Sequence, residues 1–151
     1  MQMPDYDRFF RAYVDFYNAV LENKPVIEDL RQCYGEYLVG ASGTEIVGGE
    51  NNEEFGATLD KGYGFYRELG VSGMQLRGTE PTEIAPGHDL VRVSFRAIMA
   101  GRKEPTGPID FDIAYLLQRR DSGPKIFAFA SVDELALFRE MGLVDAEGKP
   151  T

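Results

Sequence analysis

Two arginines and two aspartates carry the best-defined chemistry in this chain, because strand alternation can bring them together. Val91, Val93, Phe95, Ala97 and Met99 alternate with Leu90, Arg92, Ser94, Arg96 and Ile98, the period of a strand with one apolar face. Ile109, Phe111, Ile113 and Tyr115 alternate in the same way with Asp110, Asp112, Ala114 and Leu116. Any register that pairs the apolar faces also pairs the polar ones, which sets Arg92 and Arg96 beside Asp110 and Asp112. Such a cluster has two readings. Lining a cavity, an aspartate (Asp112 in the first place) acts as general base, with Arg96 orienting it or holding an anion. Left in solvent or at an interface, the same residues form ion pairs of little energetic weight.

The chain has eight tyrosines, and Tyr13, Tyr17, Tyr34, Tyr37, Tyr63, Tyr66 and Tyr115 fall on elements expected to surround a central space. A buried tyrosine needs a partner for its hydroxyl. Tyr13, Tyr17, Tyr37, Tyr66 and Tyr115 are therefore candidate ligand contacts; the plainer reading makes most of them core aromatics with their tips at the rim. His88 is the only histidine and Cys33 the only cysteine. Pairs of metal-binding histidines, an intramolecular disulfide and a cysteine zinc site are thereby excluded. His88 stands in Pro86-Gly87-His88-Asp89, a turn, where a histidine is usually solvated. Cys33, without a cationic neighbour in sequence, reads as a small buried apolar group. The segments Gly40-Ala41-Ser42-Gly43 and Gly48-Gly49-Glu50 lack the lysine of a phosphate loop. Glu50, Glu53 and Glu54 fit no calcium-loop spacing. No metal or cofactor is expected.

A formal net charge of -9 repels phosphate, so nucleic acid and anionic membranes are not expected partners. The densest cationic spots are Arg102-Lys103 and Arg119-Arg120. Hydrophobic residues make up 43% of 151, enough for one domain with a sizeable core. Neither a signal peptide nor an apolar membrane run is read, which makes the cytoplasm the expected location.

The elements that must position these residues come in a telling order. Residues 5–23 carry Phe9, Tyr13, Phe16 and Val20 at helical spacing, and Pro25 opens a short second helix over 25–33. Tyr34–Val39 reads as a short strand. A glycine-rich stretch follows and reads as a loop around Gly40, Gly43, Gly48 and Gly49. Asn51 or Asn52 caps a third helix, whose glycines at 56, 62 and 64 either permit close packing or leave room for a ligand. Gly70 stops it. Four strands are then predicted at Met74–Ile84, Leu90–Met99, Ile109–Gln118 and Lys125–Ala130. Turns at 86–89, 105–108 and 121–124 separate them. Ser131 with Glu134 reads as a capping box for a final short helix. Helices first and a meander after predict an α+β fold: a curved antiparallel sheet wrapped around N-terminal helices, as one domain over 1–151 with its core at about 5–143.

The segment Phe9-Phe10-x-x-Tyr13-x-x-Phe16-Tyr17, the two helices that follow, the meander, and the close Phe127-Ala128-Phe129-Ala130-Ser131-Val132-Asp133-Glu134 together resemble the nuclear transport factor 2-like superfamily, nearest its small bacterial SnoaL-like members. The resemblance implies a cone-shaped, cystatin-like roll with a pocket between sheet and helices, and a homodimer through the outer sheet face. Isomerases, dehydratases, polyketide cyclases, epoxide hydrolases and non-catalytic binders share this cone, so fold alone does not give function. Ketosteroid-isomerase-like members pair a helix tyrosine with strand aspartates. Tyr13 or Tyr17 with Asp110 or Asp112 correspond, while an early aspartate has no counterpart beyond Glu45. The pocket histidines of scytalone-dehydratase-like members are not matched. Arg96 with Asp110 and Asp112 echoes an epoxide-hydrolase set without its spacing. The expected function is a small-molecule-binding domain, acting as an acid–base lyase, isomerase or hydrolase on a small hydrophobic or hydroxy-aromatic substrate. Asp112 is then the base, Arg96 its orienter and a tyrosine the hydrogen-bond donor. The alternatives are a non-catalytic carrier and a dimerising assembly module.

Overall fold

The computed structural model describes residues 2–100 and 107–151. Arg102-Lys103 and part of the turn read at 105–108 lie outside them. Helix α1 runs Tyr6–Leu21, and its N-cap Asp5 accepts a hydrogen bond from the Arg8 amide, satisfying one of the otherwise orphaned helix donors. Its aromatic stripe is buried, with Phe10 and Tyr13 at its centre. A short α2 (Ile27–Arg31) follows, then strands β1 (Tyr34–Ser42) and β2 (Glu45–Glu50), and helix α3 (Glu53–Leu69). Asn52 caps α3, and Gly70 ends it in the left-handed conformation at φ 96°, as a Cβ-free residue does at low cost. The remaining elements are β3 (Gly73–Ala85), β4 (His88–Ile98), β5 (Ile109–Gln118), β6 (Lys125–Ser131) and α4 (Glu134–Glu140).

The strands form one open sheet in the order β2-β1-β6-β5-β4-β3. Register shifts interrupt β1–β6, β3–β4 and β5–β6; such bulges bend a sheet and deepen its twist. The concave face takes Val91, Val93 and Phe95 from β4, with Ile109, Tyr115 and Leu117 from β5, all buried. Phe10 of α1 meets the Tyr115 ring at 4.9 Å. The α+β layout read from the sequence is the one observed.

Three local readings are revised. The glycine stretch after Val39 is a β-hairpin rather than a loop. Its glycines mark close approaches: a Cβ on Gly40 would lie 2.6 Å from the Phe129 ring, and one on Gly48 2.9 Å from the Leu38 carbonyl. Strand β1 also pairs β6 in parallel, whereas the other four pairings are antiparallel. Ser131 does not cap the last helix, because it is the final residue of β6, paired with Ser42 and Ile113. Asp133 caps α4 instead, accepting from the Ala136 amide. That frees the Glu134 side chain.

Helix α1 is pinned to the sheet at both ends. Asn18 donates to the Met74 carbonyl at 3.0 Å and accepts from the Met74 amide at 2.7 Å. At the other end Tyr6 donates to Asp89 at 2.5 Å. Arg119 grips the same carboxylate through Nε and Nη2 at 2.9 and 2.7 Å and also meets Glu83 at 2.6 Å. Asp89 is fully buried, and the guanidinium holds its carboxyl below the usual aspartate range. Removing one partner of such a pair strands a buried charge, which is strongly destabilising. Asp89→Asn is expected to lower the thermal midpoint by on the order of 10 °C. Because the folded pKa is depressed, the contribution is present above the ordinary aspartate pKa and lost as pH falls through the lowered value. Thermal melts of both proteins across pH 3–7 (approximate range) check this, the gap closing at the acid end.

Candidate functional site

Between the helices and the concave face the aromatic layer does not close. It leaves a cavity of about 300 Å³, a size that holds a small organic molecule. Six of the eight tyrosines line it: Tyr13, Tyr17, Tyr34, Tyr63, Tyr66 and Tyr115. Phe95, Phe111 and Phe129 supply apolar wall, and Gly62 stands on the rim. Nothing lies within 4 Å of where a Cβ on Gly62 would sit. Of the two readings of the α3 glycines, this one leaves room.

The tyrosine hydroxyls are not equivalent. Tyr13 lies 2.9 Å from the Tyr34 hydroxyl. Burial pushes its pKa up, and the neighbouring tyrosine hydroxyls, Tyr34 first, offset part of that rise. Tyr13 and Tyr34 satisfy one another in the cavity wall. Tyr17 differs. Its ring packs edge-on against Tyr63 at 4.5 Å, but its hydroxyl has no hydrogen-bond partner among the described residues. Burial raises its pKa well above the ordinary value, and the nearby Tyr66 and Glu134 raise it further. It stays a neutral donor, free for a ligand.

Glu134 completes the site from the first turn of α4. Its Oε2 accepts the Tyr66 hydroxyl at 2.7 Å. Desolvation pushes the carboxyl pKa up, and the Tyr66 hydrogen bond only partly opposes this. No Lys, Arg or His is among the described residues that line the cavity. A carboxylate held in apolar surroundings with a raised pKa is the standard means of making a weak base strong enough for proton transfer near neutrality. The sequence reading missed this residue because Ser131-x-x-Glu134 explained it as a cap. The signal that could have found it was Asp133, a competing cap that leaves Glu134 unassigned.

The residues named from sequence divide between the two faces of the sheet. Tyr13, Tyr17, Tyr66 and Tyr115 line the cavity. Tyr37 does not: it is 69% exposed, because strand alternation turns it to the convex face. Arg96 and Asp110 stand opposite in register as expected and pair through Nε and Nη2 at 2.7 and 3.0 Å, with Arg77 at 3.4 Å. The Arg96 hydrogen bonds draw the Asp110 pKa down. Yet Arg96, Asp110 and Asp112 are on the convex face, on the far side of the sheet from the tyrosines. The same period that assembles them removes them from the cavity. His88 sits at the β3–β4 turn with Nδ1 2.9 Å from the Pro86 carbonyl. Cys33 is buried, which pushes its thiol up to about 11. No group of three or more His, Cys, Asp or Glu among the described residues is placed to hold a metal ion. No described helix is long and apolar enough to cross a membrane.

No protein-family model and no curated protein matches the sequence. Solved structures do. An NTF2-like protein with a cystatin-like fold from Novosphingobium aromaticivorans superposes with a TM-score of 0.62 at 14% identity, over 89% of this chain and 84% of that one. The fold is cystatin-like and NTF2-like. A putative scytalone dehydratase from the same organism matches at 0.60 and 16% identity, over 83% and 78% of the two chains. The beta subunit of benzoate 1,2-dioxygenase from Burkholderia mallei matches at 0.57 and 12%, over 87% and 92%. An NTF2-like cone thus serves in proteins with very different names, and the site must decide what this one does.

A carboxylate whose folded pKa is raised costs stability once ionised, the opposite sign to Asp89. Glu134→Gln is therefore expected to raise the thermal midpoint at pH 7 (approximate), with the gain shrinking as pH falls towards the ordinary glutamate pKa. Parallel melts of the two proteins test it; a loss at neutral pH would show the carboxylate to be structural.

Proposed function

We propose that this chain is a small-molecule-binding domain that performs acid–base chemistry in its tyrosine-lined cavity. Glu134 is the base and Tyr17 the hydrogen-bond donor. The substrate is a small, largely apolar molecule bearing one oxygen function. The observation that carries this is the desolvated Glu134 carboxylate, hydrogen-bonded to Tyr66 beside a tyrosine hydroxyl with no other partner among the described residues. Base and donor at one apolar cavity suit proton abstraction next to a carbonyl: the carboxylate removes the proton while the phenol stabilises the developing oxyanion.

Deuterium exchange at the acidic carbon of 2-tetralone, followed by proton NMR, tests it. The wild type is expected to accelerate exchange over buffer, Glu134→Gln to lose about 10²-fold or more, and Tyr17→Phe to lose less. Gly62→Phe, which fills the rim, is expected to weaken 2-naphthol binding about tenfold or more without loss of stability. Binding without exchange would leave a carrier; absence of both would remove the cavity reading.

A second observation favours self-association through the convex face. Arg92 and Asp112 lie there on neighbouring strands, with Ala114 and Ala130 beside them. Neither has an ion-pair partner among the described residues. A cation and an anion left unpaired on the same face satisfy each other across a two-fold axis, as an isologous contact requires. We infer a homodimer there. Sedimentation is expected to show a dimer, dissociated by Arg92→Asp or by Asp112→Arg and restored when both changes are combined. A wild-type monomer at micromolar concentration would end this reading.

A further inference from the structure

Among the described residues, the cavity wall carries one carboxyl group and no basic side chain. Oε2 of Glu134 is taken by Tyr66, while Oε1 accepts no hydrogen bond among the described residues. Glu134 is half-buried on the cavity wall, and one of its oxygens is left without a protein partner among the described residues. In an apolar site, an ionised carboxylate without a countercharge is costly, and an opposite charge close by stabilises it.

The walls beside it suit the same kind of guest. The rings of Tyr17, Tyr63 and Tyr66 meet near the carboxylate. Tyr17 stands at 88° to Tyr63 and 28° to Tyr66, with centroids 4.5 and 6.1 Å apart. Aromatic faces carry negative potential and attract cations, most strongly when both are desolvated. An anionic ligand would meet Glu134 without any basic side chain among the described lining residues to offset the repulsion. A neutral one enters without compensating the carboxylate and so binds less tightly. The chain's net charge of -9 also raises the local concentration of cations.

We propose that the apolar, oxygen-bearing molecule the cavity takes is also a small organic cation, a substituted ammonium whose apolar groups lie against the tyrosine rings while its charge faces Glu134. The inference rests on the cavity being the ligand site and adds the class of molecule that enters it.

Phenyltrimethylammonium and its neutral carbon isostere tert-butylbenzene fill the same volume and differ in charge. Each is titrated against the intact protein, with displacement of bound 2-naphthol fluorescence as the readout. The cation is expected to bind at least about tenfold more tightly than the isostere. Glu134→Gln is expected to erase most of that preference, chiefly by weakening the cation. Equal or tighter binding of tert-butylbenzene to the wild type would overturn the cationic reading while leaving the cavity as a ligand site. A preference that survives unchanged in Glu134→Gln would overturn the part assigned to the carboxylate. Failure of 2-naphthol, the cation and the isostere alike would overturn both this inference and the cavity reading on which it rests.

Discussion

The packing of α1 against the concave face is the constraint on which the other features rest. Its aromatic stripe is too broad to be satisfied by solvent and too stiff to fill the curve of a bent sheet completely. Phe10 reaches Tyr115 and closes one end of the space. Further along the helix, Tyr13 and Tyr17 face residual volume. Two polar anchors keep the helix from sinking into that volume. Asn18 hydrogen-bonds both ways with the Met74 backbone, and Tyr6 reaches the Asp89–Arg119 pair. Hydrophobic burial alone has no direction; these bonds fix the helix at both ends against the sheet.

Within that cavity the electrostatics run against stability. Six tyrosines line it as neutral hydroxyls, and a carboxylate enters from α4 with its pKa raised by burial. Proteins tolerate such groups chiefly where function uses them. Elsewhere the chain handles its buried acid in the ordinary way, giving Asp89 an arginine and a phenol. The contrast between two carboxylates in one small domain, one compensated and one not, distinguishes the site from the scaffold.

Much of the fold is legible in the residues. The strand from Ile109 to Gln118 coincides with its apolar alternation, and Gly70 stops α3 where its left-handed conformation is required. The hairpin after Val39 is hidden because glycine signals turns in sequence, whereas Gly40 is present to admit the Phe129 ring. The parallel contact of β1 with β6 joins segments far apart along the chain, and no local pattern records it. For the site, the tyrosines are recognisable as a group. Tyr37 is misplaced by a single step of alternation, and Glu134 is explained away by a capping box that Asp133 in fact makes unnecessary.

The sequence by itself determined which residues share a strand face, because a period of two is a covalent property of extended backbone. Once the apolar faces of the two strands are paired, alternation sets Arg96 on the same face as Asp110. Only the tertiary structure decided which of those faces looks inward. That choice depends on where the helices pack, a long-range outcome of burying the larger apolar face. It sent the arginine–aspartate set to the convex surface and left the cavity to tyrosines. It also folded α4 back so that one glutamate, unremarkable in sequence, became the carboxylate that burial desolvates.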